Sequence, residues 1–234
     1  MKAFILAGGE GTRLRPYTYN MPKPMMKLGG KPILQFVIEN LRRCGIKEIV
    51  LTVGYRHETI QSYFGEGKDF GVKIKYSVEN EKLNTAGSIH AFKGEVDESF
   101  VVVMGDHLTN LDLRDMLKEH KKANAIATVA LYQVKQPLEF GVADVEGESI
   151  VGFREKPLLT HNYNTAIYIF EPRIFDYINE KEDFAKDVIP RLIEKGEKVH
   201  AYIFNDVWFD IGRIGDYEKL VKLFKVLKLV NDLS

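Results

Sequence analysis

The chain has 234 residues, of which 45% are hydrophobic and 11% aromatic, so it can bury a sizeable core. A chain of this length typically forms one large α/β domain, and we predict a single domain over residues 1–234. Lys plus Arg equals Asp plus Glu at 33 each, which argues against a broadly basic nucleic-acid-binding surface or a polybasic membrane patch. The single cysteine, Cys44, excludes an internal disulfide and a multi-cysteine zinc site.

The N-terminus begins almost directly on the first predicted strand, which leaves no room for a signal peptide. No later run reaches the roughly 18 apolar residues of a transmembrane helix. We therefore expect a soluble cytoplasmic protein with neither a nucleic-acid nor a membrane partner. A homo-oligomer is compatible with the sequence.

Strands and helices alternate through the first half of the chain. Short apolar runs predict buried strands at Lys2 to Leu6, Glu48 to Val53, Lys73 to Ser77 and Phe100 to Met104. Amphipathic patterns predict helices at Ile33 to Arg43, His57 to Phe64 and Leu113 to Ala123. This alternation indicates an α/β fold with a doubly wound, mainly parallel, Rossmann-like sheet, whose ligands bind at the carboxyl ends of the strands.

The pattern changes after the third helix. Strand-like segments follow at Ala125 to Leu131, Gly141 to Val145, Ile150 to Phe153 and Tyr163 to Phe170. They predict a mixed or antiparallel extension of the sheet, with a small β region that covers the site. Helical patterns return at Phe184 to Glu194 and from Gly215 onward. In the last helix, we expect an apolar face to pack on the core, formed by Tyr217, Leu220, Phe224 and Leu227.

The first strand leads into a glycine-rich stretch, LAGGEGTRLRPYT, from Leu6 to Thr18. Glycines allow the backbone to approach a ligand closely and to aim N–H groups at phosphate oxygens, and arginines add positive charge. The spacing fits neither G-x-G-x-x-G nor a Walker A loop. A tight turn with solvated arginines is the alternative. The three closely spaced glycines and the Pro-Lys-Pro at Pro22 to Pro24 favour a phosphate-binding loop instead.

The motif LAGGEGTRLRP, followed by PKP, resembles the signature of the sugar-1-phosphate nucleotidyltransferases, and the resemblance extends over nearly the whole chain. Those enzymes join a nucleoside triphosphate to a sugar 1-phosphate and release pyrophosphate. The resemblance implies that Arg13 and Lys23 neutralise phosphate charge, which suits a bidentate guanidinium and a mobile ammonium. It also implies that the loop binds the nucleotide through Leu6, Ala7, Gly8, Gly9, Gly11 and Thr12.

Two aspartates follow apolar runs far apart in the sequence. Asp106 ends FVVVMGD, and Asp210 lies in VWFDIG. Either residue alone could cap a helix or a turn. Together they resemble the paired metal ligands of the family, and two carboxylates with substrate phosphates and water form a common Mg²⁺ site. We therefore predict Mg²⁺ as the cofactor. His107, beside Asp106, is equally compatible with a turn residue and a ligand.

Three further segments resemble the family's sugar-binding elements. In FREKP, Glu155 would face the sugar and Lys156 its phosphate. In NYNTAI, Asn164 would bind sugar hydroxyls, and the backbone of Gly141 would meet the sugar from the loop at Phe140 to Val142. The sequence departs from the family at Thr165 and Ala166, where alanine and glycine are frequent, so the identity of the sugar is open.

The segment ENEKLNTAG, from Glu79 to Gly87, resembles the base-recognition loop, in which Glu79, Asn84 and Thr85 would contact the nucleotide. The family commonly has glycine at Asn84, but asparagine tolerates a positive φ. A carboxylate only accepts hydrogen bonds, so Glu79 suits the adjacent N–H donors of guanine, whereas uracil or thymine suits an amide better. Some uridylyl-transferring relatives also carry an acid here, and a solvated surface glutamate is the alternative.

Together these features predict transfer of a nucleotidyl group from an NTP to a hexose 1-phosphate, in the manner of a mannose-1-phosphate guanylyltransferase. The alternatives are a uridylyl- or thymidylyl-transferring relative, a cytidylyl transfer to a polyol or choline phosphate, and a catalytically silent regulatory domain that binds nucleotide. Retention of both aspartates with Arg13, Lys23 and Lys156 argues against the silent domain.

Overall fold

The computed structural model describes residues 1–233, with side chains as far as residue 227. Its strands in chain order are β1 (Lys2–Ala7), β2 (Lys27–Leu28), β3 (Lys31–Pro32), β4 (Glu48–Val53), β5 (Lys73–Val78), β6 (Phe100–Met104), β7 (His107–Thr109), β8 (Ala127–Pro137), β9 (Val142–Glu146), β10 (Ser149–Arg154), β11 (Leu158–Phe170), β12 (Val199–Phe204) and β13 (Trp208–Asp210). Its α-helices are α1 (Ile33–Arg43), α2 (His57–Phe64), α3 (Asn84–His90), α4 (Leu113–Ala123), α5 (Ile189–Glu194) and α6 (Ile214–Leu233). A π-helix, Phe184–Val188, leads directly into α5.

The large sheet has seven strands in the order β12-β8-β11-β6-β1-β4-β5. Strand β1 lies next to the central strand β6 and pairs in parallel with both β4 and β6, so that Ala3 lies opposite Ile49 and Val101. The β4–β5 and β12–β8 pairs are also parallel, whereas β11 runs antiparallel to both of its neighbours. This arrangement confirms the predicted mixed, mainly parallel sheet.

Helices cover both faces of this sheet. Along β1 the side chains alternate: Ile5 packs in the cluster that contains residues of α1, α2 and α4, whereas Phe4 packs in the cluster that contains residues of α3, the π-helix and α5. A strand that is buried on both faces has no polar alternation, which explains its continuous apolar run. The doubly wound arrangement predicted from the sequence is confirmed, and the carboxyl ends of β1, β4 and β6 lie together at one edge.

The second half of the chain adds the predicted β region. Strands β8 and β11 pair as far as Leu158 and Pro137, and β9 and β10 form a separate antiparallel hairpin. One face of this hairpin is polar and carries the ion pair between Arg154 and Asp144, 3.0 Å apart. Its other face exposes Ile150 and Phe153, which are 66% and 65% accessible.

Several details differ from the sequence-based predictions. Strand β8 starts two residues later than predicted and runs on to Pro137, and β11 starts at Leu158 rather than Tyr163. Both extensions form because the two strands pair with each other there, a long-range contact. Strand β12 and helix α3 were not predicted. Leu227 is 51% exposed, so the apolar face of α6 packs on the core only through its first part. Within residues 1–233, no helix has both the length and the apolar character needed to cross a membrane.

Candidate active site

The glycine-rich loop leaves β1 at the carboxyl edge of the sheet. Two hydrogen bonds hold its backbone. The Gly8 carbonyl accepts one from the Tyr55 N–H at 3.4 Å, and the Gly11 carbonyl accepts one from the Thr18 hydroxyl at 2.8 Å. Gly11 has φ +63, and a Cβ there would lie 3.0 Å from Cβ of Lys23. Glycine is therefore required at Gly11 both by its left-handed conformation and by the close approach of Lys23.

The loop encloses a cavity of about 270 Å³. Backbone and side chains of the first strand, the loop and the end of β6 form its wall. The lining residues are Leu6, Ala7, Gly9, Gly11, Thr12, Arg13, Lys23, Pro24, Met104 and Asp106. The structure thus brings together in one cavity eight residues that the sequence predicts for the nucleotide, phosphate and metal sites. The wall combines glycine backbone with two cations and one carboxylate, a composition suited to a polyphosphate.

Lys23 connects the two predicted metal ligands. Its ammonium group is almost fully buried and forms an ion pair with Asp106, and its Nζ lies 3.6 Å from Oδ1 of Asp210. Asp210 lies on β13, which pairs with β7 so that Asp210 stands opposite His107. A hydrogen bond from His107, helped by the charges of Lys23 and Arg13, lowers the pKa of Asp210 to about 2.

The two aspartates fit a magnesium ion. Oδ1 of Asp106 is buried without a hydrogen-bond partner among the described residues, and Asp210 is 43% exposed on its side chain. Across the described part of the chain, no three His, Cys, Asp or Glu side chains form a complete protein cage for a metal. Mg²⁺ rarely has such a cage and commonly combines one or two carboxylates with substrate phosphates and water. Asp106 and Asp210 are therefore a suitable donor pair.

The two arginines of the loop have different surroundings. Arg13 lines the cavity, and its side chain has no ion pair or hydrogen bond within the described residues. Arg15 instead lies 3.5 Å from Glu10 and packs over the ring of Tyr19, 5.5 Å from the ring centroid. Only Arg15 therefore matches the alternative of a solvated turn arginine, and Arg13 remains available to a ligand in the cavity.

Glu79 lies beneath the loop at the end of β5. Its N–H donates to the carbonyl of Val53 at 2.7 Å, and its Oε2 would be 3.1 Å from a Cβ added to Gly8. Oε1 is buried and has no hydrogen-bond partner in the described residues. Burial raises the pKa of the carboxyl group, opposed by the hydroxyls of Ser88 and Thr52. Glu79 is therefore not a solvated surface glutamate, whereas its contact with a base stays a prediction.

Residues 2–225 match the family model described as nucleotidyl transferase. The chain belongs to this family. It is 39% identical over 243 residues to a UTP–glucose-1-phosphate uridylyltransferase of Synechocystis sp., covering 95% of this chain and 63% of that protein. It is 35% identical over 227 residues to a D-glycero-alpha-D-manno-heptose 1-phosphate guanylyltransferase of Aneurinibacillus thermoaerophilus, covering 95% of this chain and 97% of that one.

Solved structures agree with this membership. HddC from Yersinia pseudotuberculosis, crystallised in complex with GMP-PN, superposes with a TM-score of 0.75 at 26% identity, over 95% of this chain and 99% of that chain. The family predicted from the loop motif is therefore confirmed, as is the fold class. The chain spans less than two thirds of the Synechocystis uridylyltransferase but nearly the whole of the heptose guanylyltransferase.

In this nucleotidyl transferase, Asn84 and Thr85 begin helix α3, where the sequence predicts a loop. Asn84 has φ +59, which agrees with the expectation that asparagine can replace glycine in the turn. Its side-chain amide donates to the carbonyl of Lys181 at 2.6 Å. The Thr85 hydroxyl donates to Asp183 at 3.0 Å and accepts from the Phe184 N–H at 2.8 Å. Both side chains thus connect α3 to residues 181–184, which lead into the π-helix, and their contact with nucleotide stays a prediction.

The predicted sugar-binding residues lie on the β region. A Cβ on Gly141 would approach Oε2 of Glu155 to 2.8 Å, so these two residues are neighbours. Asn164 is exposed, and its amide donates to the Tyr168 hydroxyl at 2.9 Å. Glu155 and Lys156 are also exposed, and no hydrogen bond or ion pair joins either side chain to the glycine loop within the described residues. The nucleotidyl transferase structure therefore does not bring Lys156 into the cavity that contains Arg13.

The sequence leaves the role of His107 open. The structure places its side chain between two halves of the site: the carboxylate pair Asp106 and Asp210, and the strand β11 that carries Asn164. Its Nδ1 lies 3.0 Å from the Thr165 carbonyl, and its Nε2 lies 3.4 Å from Oδ1 of Asp210. The adjacency of His107 to Asp106 after a buried strand is the only sequence signal of this position. The partner strand β13 is far away in the chain, which explains why the contact could not be predicted.

Proposed function

We propose that this nucleotidyl transferase joins an NTP to a hexose 1-phosphate, giving a nucleoside diphosphate sugar and pyrophosphate. The observation that carries the proposal is the cavity at the carboxyl edge of the sheet, which combines the glycine loop, Arg13, Lys23 and Asp106. The names of the uridylyl- and guanylyltransferase relatives support it. The nucleotide and the sugar phosphate would be its small-molecule partners. A cytoplasmic location and a homo-oligomeric state remain predictions.

The reaction requires positioning and charge neutralisation more than proton transfer. An oxygen of the sugar phosphate attacks the α-phosphorus in line, and the bond from that phosphorus to the bridging oxygen of pyrophosphate breaks. A phosphomonoester with a second pKa near roughly 6 is largely dianionic at neutral pH, so no general base is needed. Arg13 would meet the charge that moves onto the leaving pyrophosphate.

Asp106 and Asp210 would hold Mg²⁺, which supplies further charge neutralisation at the phosphates when it is bound. Lys23 has a second role in this arrangement. Because it is buried between the two carboxylates, it keeps them close together and limits their mutual repulsion. The loop glycines would leave their N–H groups available to the triphosphate, as the loop of the family does.

We propose guanine as the preferred base. The half-buried carboxyl group of Glu79 lies next to Gly8, where the loop would contact the nucleotide, and its buried oxygen has no hydrogen-bond partner in the described part of the chain. The two adjacent donors of guanine would satisfy such a group, which favours its ionised form. The heptose guanylyltransferase relative and the GMP-PN complex of HddC also favour guanine. The uridylyltransferase relative keeps uracil as the second candidate.

The sugar 1-phosphate would bind on the β region. Lys156 would take its phosphate, Glu155 and the Gly141 backbone would meet the ring, and Asn164 would bind ring hydroxyls. Lys156 is exposed and has φ +44, so closing the β region over the cavity would be needed to bring its ammonium group to the acceptor phosphate. The left-handed φ of +54 at Ala166 matches the glycine that is frequent at that position in the family.

A pyrophosphate-release screen tests the proposal. GTP, UTP, dTTP and CTP are each combined with mannose, glucose or heptose 1-phosphate and with choline phosphate, with and without Mg²⁺. We expect Mg²⁺-dependent release with a sugar 1-phosphate, fastest with GTP. Release with choline phosphate alone would contradict the sugar assignment. Nucleotide binding without release in any combination would favour the silent regulatory domain.

A further inference from the structure

The side chain of His107 lies where three strands meet at the carboxyl edge of the sheet. It belongs to β7, and it faces Asp210 on the antiparallel partner β13 and Thr165 on β11. The imidazole is only 12% exposed and packs edge-on against Trp208, with ring centroids 5.7 Å apart and planes at 87°. Its orientation is therefore fixed by packing, so both ring nitrogens have defined neighbours.

One ring nitrogen reaches the sugar side of the site. A carbonyl oxygen can only accept a hydrogen bond, so Nδ1 must donate to the Thr165 carbonyl, 3.0 Å away. Thr165 is itself fully buried, and its hydroxyl donates to the Ala130 carbonyl at 2.7 Å. The register of β11 shifts between Asn164 and Tyr168, and Ala166 donates its N–H to the Asn164 side chain at 2.9 Å. The His107 bond therefore fixes the irregular peptide that presents Asn164.

The other ring nitrogen faces the carboxylate pair. Nε2 lies 3.4 Å from Oδ1 of Asp210 and 3.7 Å from Oδ1 of Asp106. Lys23 contacts the same two carboxylates from its own position on the chain. The imidazole thus contacts both the proposed metal ligands and the strand that carries the proposed sugar-binding residue Asn164.

We propose that His107 is a positioning residue that couples the two halves of the site: its Nδ1–H holds the Thr165 peptide, while the Nε2 edge of the ring packs beside the carboxylate pair. This inference rests on the proposed function. It assigns His107 no proton transfer and no direct contact with substrate. Its consequence is that the Nδ1 hydrogen bond controls binding of the sugar phosphate rather than turnover.

Two substitutions separate the nitrogens. Asparagine places an amide nitrogen near the position of Nδ1, whereas glutamine places one near the position of Nε2. We expect His107→Asn to keep the sugar-phosphate KM within about two-fold, because its amide can still donate to the Thr165 carbonyl. We expect His107→Gln to raise the sugar-phosphate KM by about five- to ten-fold, as expected for one lost hydrogen bond, with a smaller change in kcat. The nucleotide KM should change little in either variant.

A structural role alone would not produce this split. His107 borders a small cavity of about 20 Å³, so any smaller side chain loosens the packing and lowers thermal stability. Thermal midpoints of both variants therefore accompany the kinetics. His90→Asn is the matched control, because His90 ends α3 and its side chain makes no hydrogen bond within the described residues. That control should leave all kinetic constants within about two-fold.

Amide hydrogen exchange provides a readout that needs no substrate. In the ligand-free protein, His107→Gln should speed exchange in residues 164–167 by about ten-fold, whereas His107→Asn should not. If the pyrophosphate screen fails for every sugar phosphate, the proposed function fails and the exchange experiment still tests the positioning role. Equal exchange in both variants and the wild type, or an equal loss of kcat with unchanged KM in both, would overturn the proposal.

Discussion

The two sides of the site are built differently. On the phosphate side, Lys23 and Asp106 are largely buried, and the loop is held by hydrogen bonds to neighbouring segments. On the sugar side, Lys156 is exposed and the β9–β10 hairpin presents Phe153 to solvent. The phosphate side is therefore largely buried and preformed, whereas the sugar side is open to solvent and would have to close over the cavity when the substrate binds. Changes on the first side should lower kcat, and changes on the second should raise KM.

The largest expected effect comes from the buried carboxylate. Asp106→Asn removes an anionic ligand without changing size and leaves Lys23 with Asp210 alone, so kcat should fall by about 10³-fold. Asp210→Asn should act in the same direction. The measurement is pyrophosphate release during Mg²⁺ titration, with Asp144→Asn on the exposed hairpin as the control. Near-normal, metal-dependent release would remove the altered residue from the metal site.

A second change compares the two arginines of the loop. Arg13→Ala should lower kcat by about 10²-fold, because it removes positive charge where the leaving pyrophosphate gains negative charge. Arg15→Ala is the matched control and should stay within about two-fold, since Arg15 packs on Glu10 and Tyr19. Steady-state kinetics with both substrates varied give the answer. Equal losses of kcat in the two variants would show that the position of Arg13 in the cavity gives it no special role in turnover.

A third change asks whether the phosphate side also reads the base. Glu79→Gln replaces an acceptor oxygen by an NH₂ group that would face a guanine donor. The kcat/KM for GTP should fall by about ten- to a hundred-fold, whereas UTP or dTTP use should hold or rise. The measured quantity is the ratio of kcat/KM for GTP to that for UTP with one sugar phosphate held constant. An unchanged ratio would mean that Glu79 supports the loop at Gly8 without contacting the base.

A fourth change tests the open side. Lys156→Ala should raise the sugar-phosphate KM by about ten-fold and leave the nucleotide KM within about two-fold, because its proposed partner is the acceptor phosphate. Lys135→Ala, on the exposed part of β8 before the hairpin, is the control. If Lys156→Ala instead reproduces the kinetic profile of Arg13→Ala, the division between the two sides is wrong.

The smallest effect is on stability and lies away from both subsites. His120 is fully buried, with Nδ1 at 2.7 Å from the Thr128 hydroxyl and Nε2 at 3.1 Å from Glu171. Burial lowers its pKa in the folded state, so the unfolded chain binds the proton more readily. Stability should therefore fall as pH drops below about 6.5, by at most ~1.4 kcal/mol per pH unit from this group.

Urea unfolding between pH 5 and 7.5 measures this slope in the wild type and in His120→Gln. The variant should lose part of the dependence, even if it is less stable throughout. An identical slope in both proteins would show that His120 does not cause it. His161→Gln, at an exposed position on β11, should leave the slope unchanged.

The sequence predicted the parts of the fold that depend on local pattern. The bounds of α1, α2, α4 and β4 agree with the structure, because their apolar spacing is regular and their ends are marked. Glycine or proline flanks α1, α2 and β4, and α4 lies between the caps Asp112 and Asn124. The short pair β7–β13 could not be predicted from the sequence. Strands of three residues are too short to show an alternating apolar pattern, and their pairing joins residues about 100 positions apart. Strand β12 is half exposed at the sheet edge, which weakens its pattern.

The candidate site divides in the same way. Motif resemblance predicted the loop, Lys23 and both aspartates as site residues, and the structure places them close together. It did not indicate that Lys23 lies between the aspartates, that His107 touches the same group, or that Asn84 and Thr85 bind the π-helix segment. These contacts depend on tertiary packing between distant segments, which a single sequence does not encode in a readable pattern.

The most direct measurement follows the phosphorus atoms of the nucleotide. The protein is incubated with Mg²⁺, a sugar 1-phosphate and GTP labelled either at the α- or at the γ-phosphate. Nucleotidyl transfer predicts that the α-label enters a nucleoside diphosphate sugar and that the γ-label leaves in pyrophosphate. Neither labelled product should form with Asp106→Asn. A γ-label found on the sugar, or in inorganic phosphate with no α-label on the sugar, would contradict nucleotidyl transfer at this site.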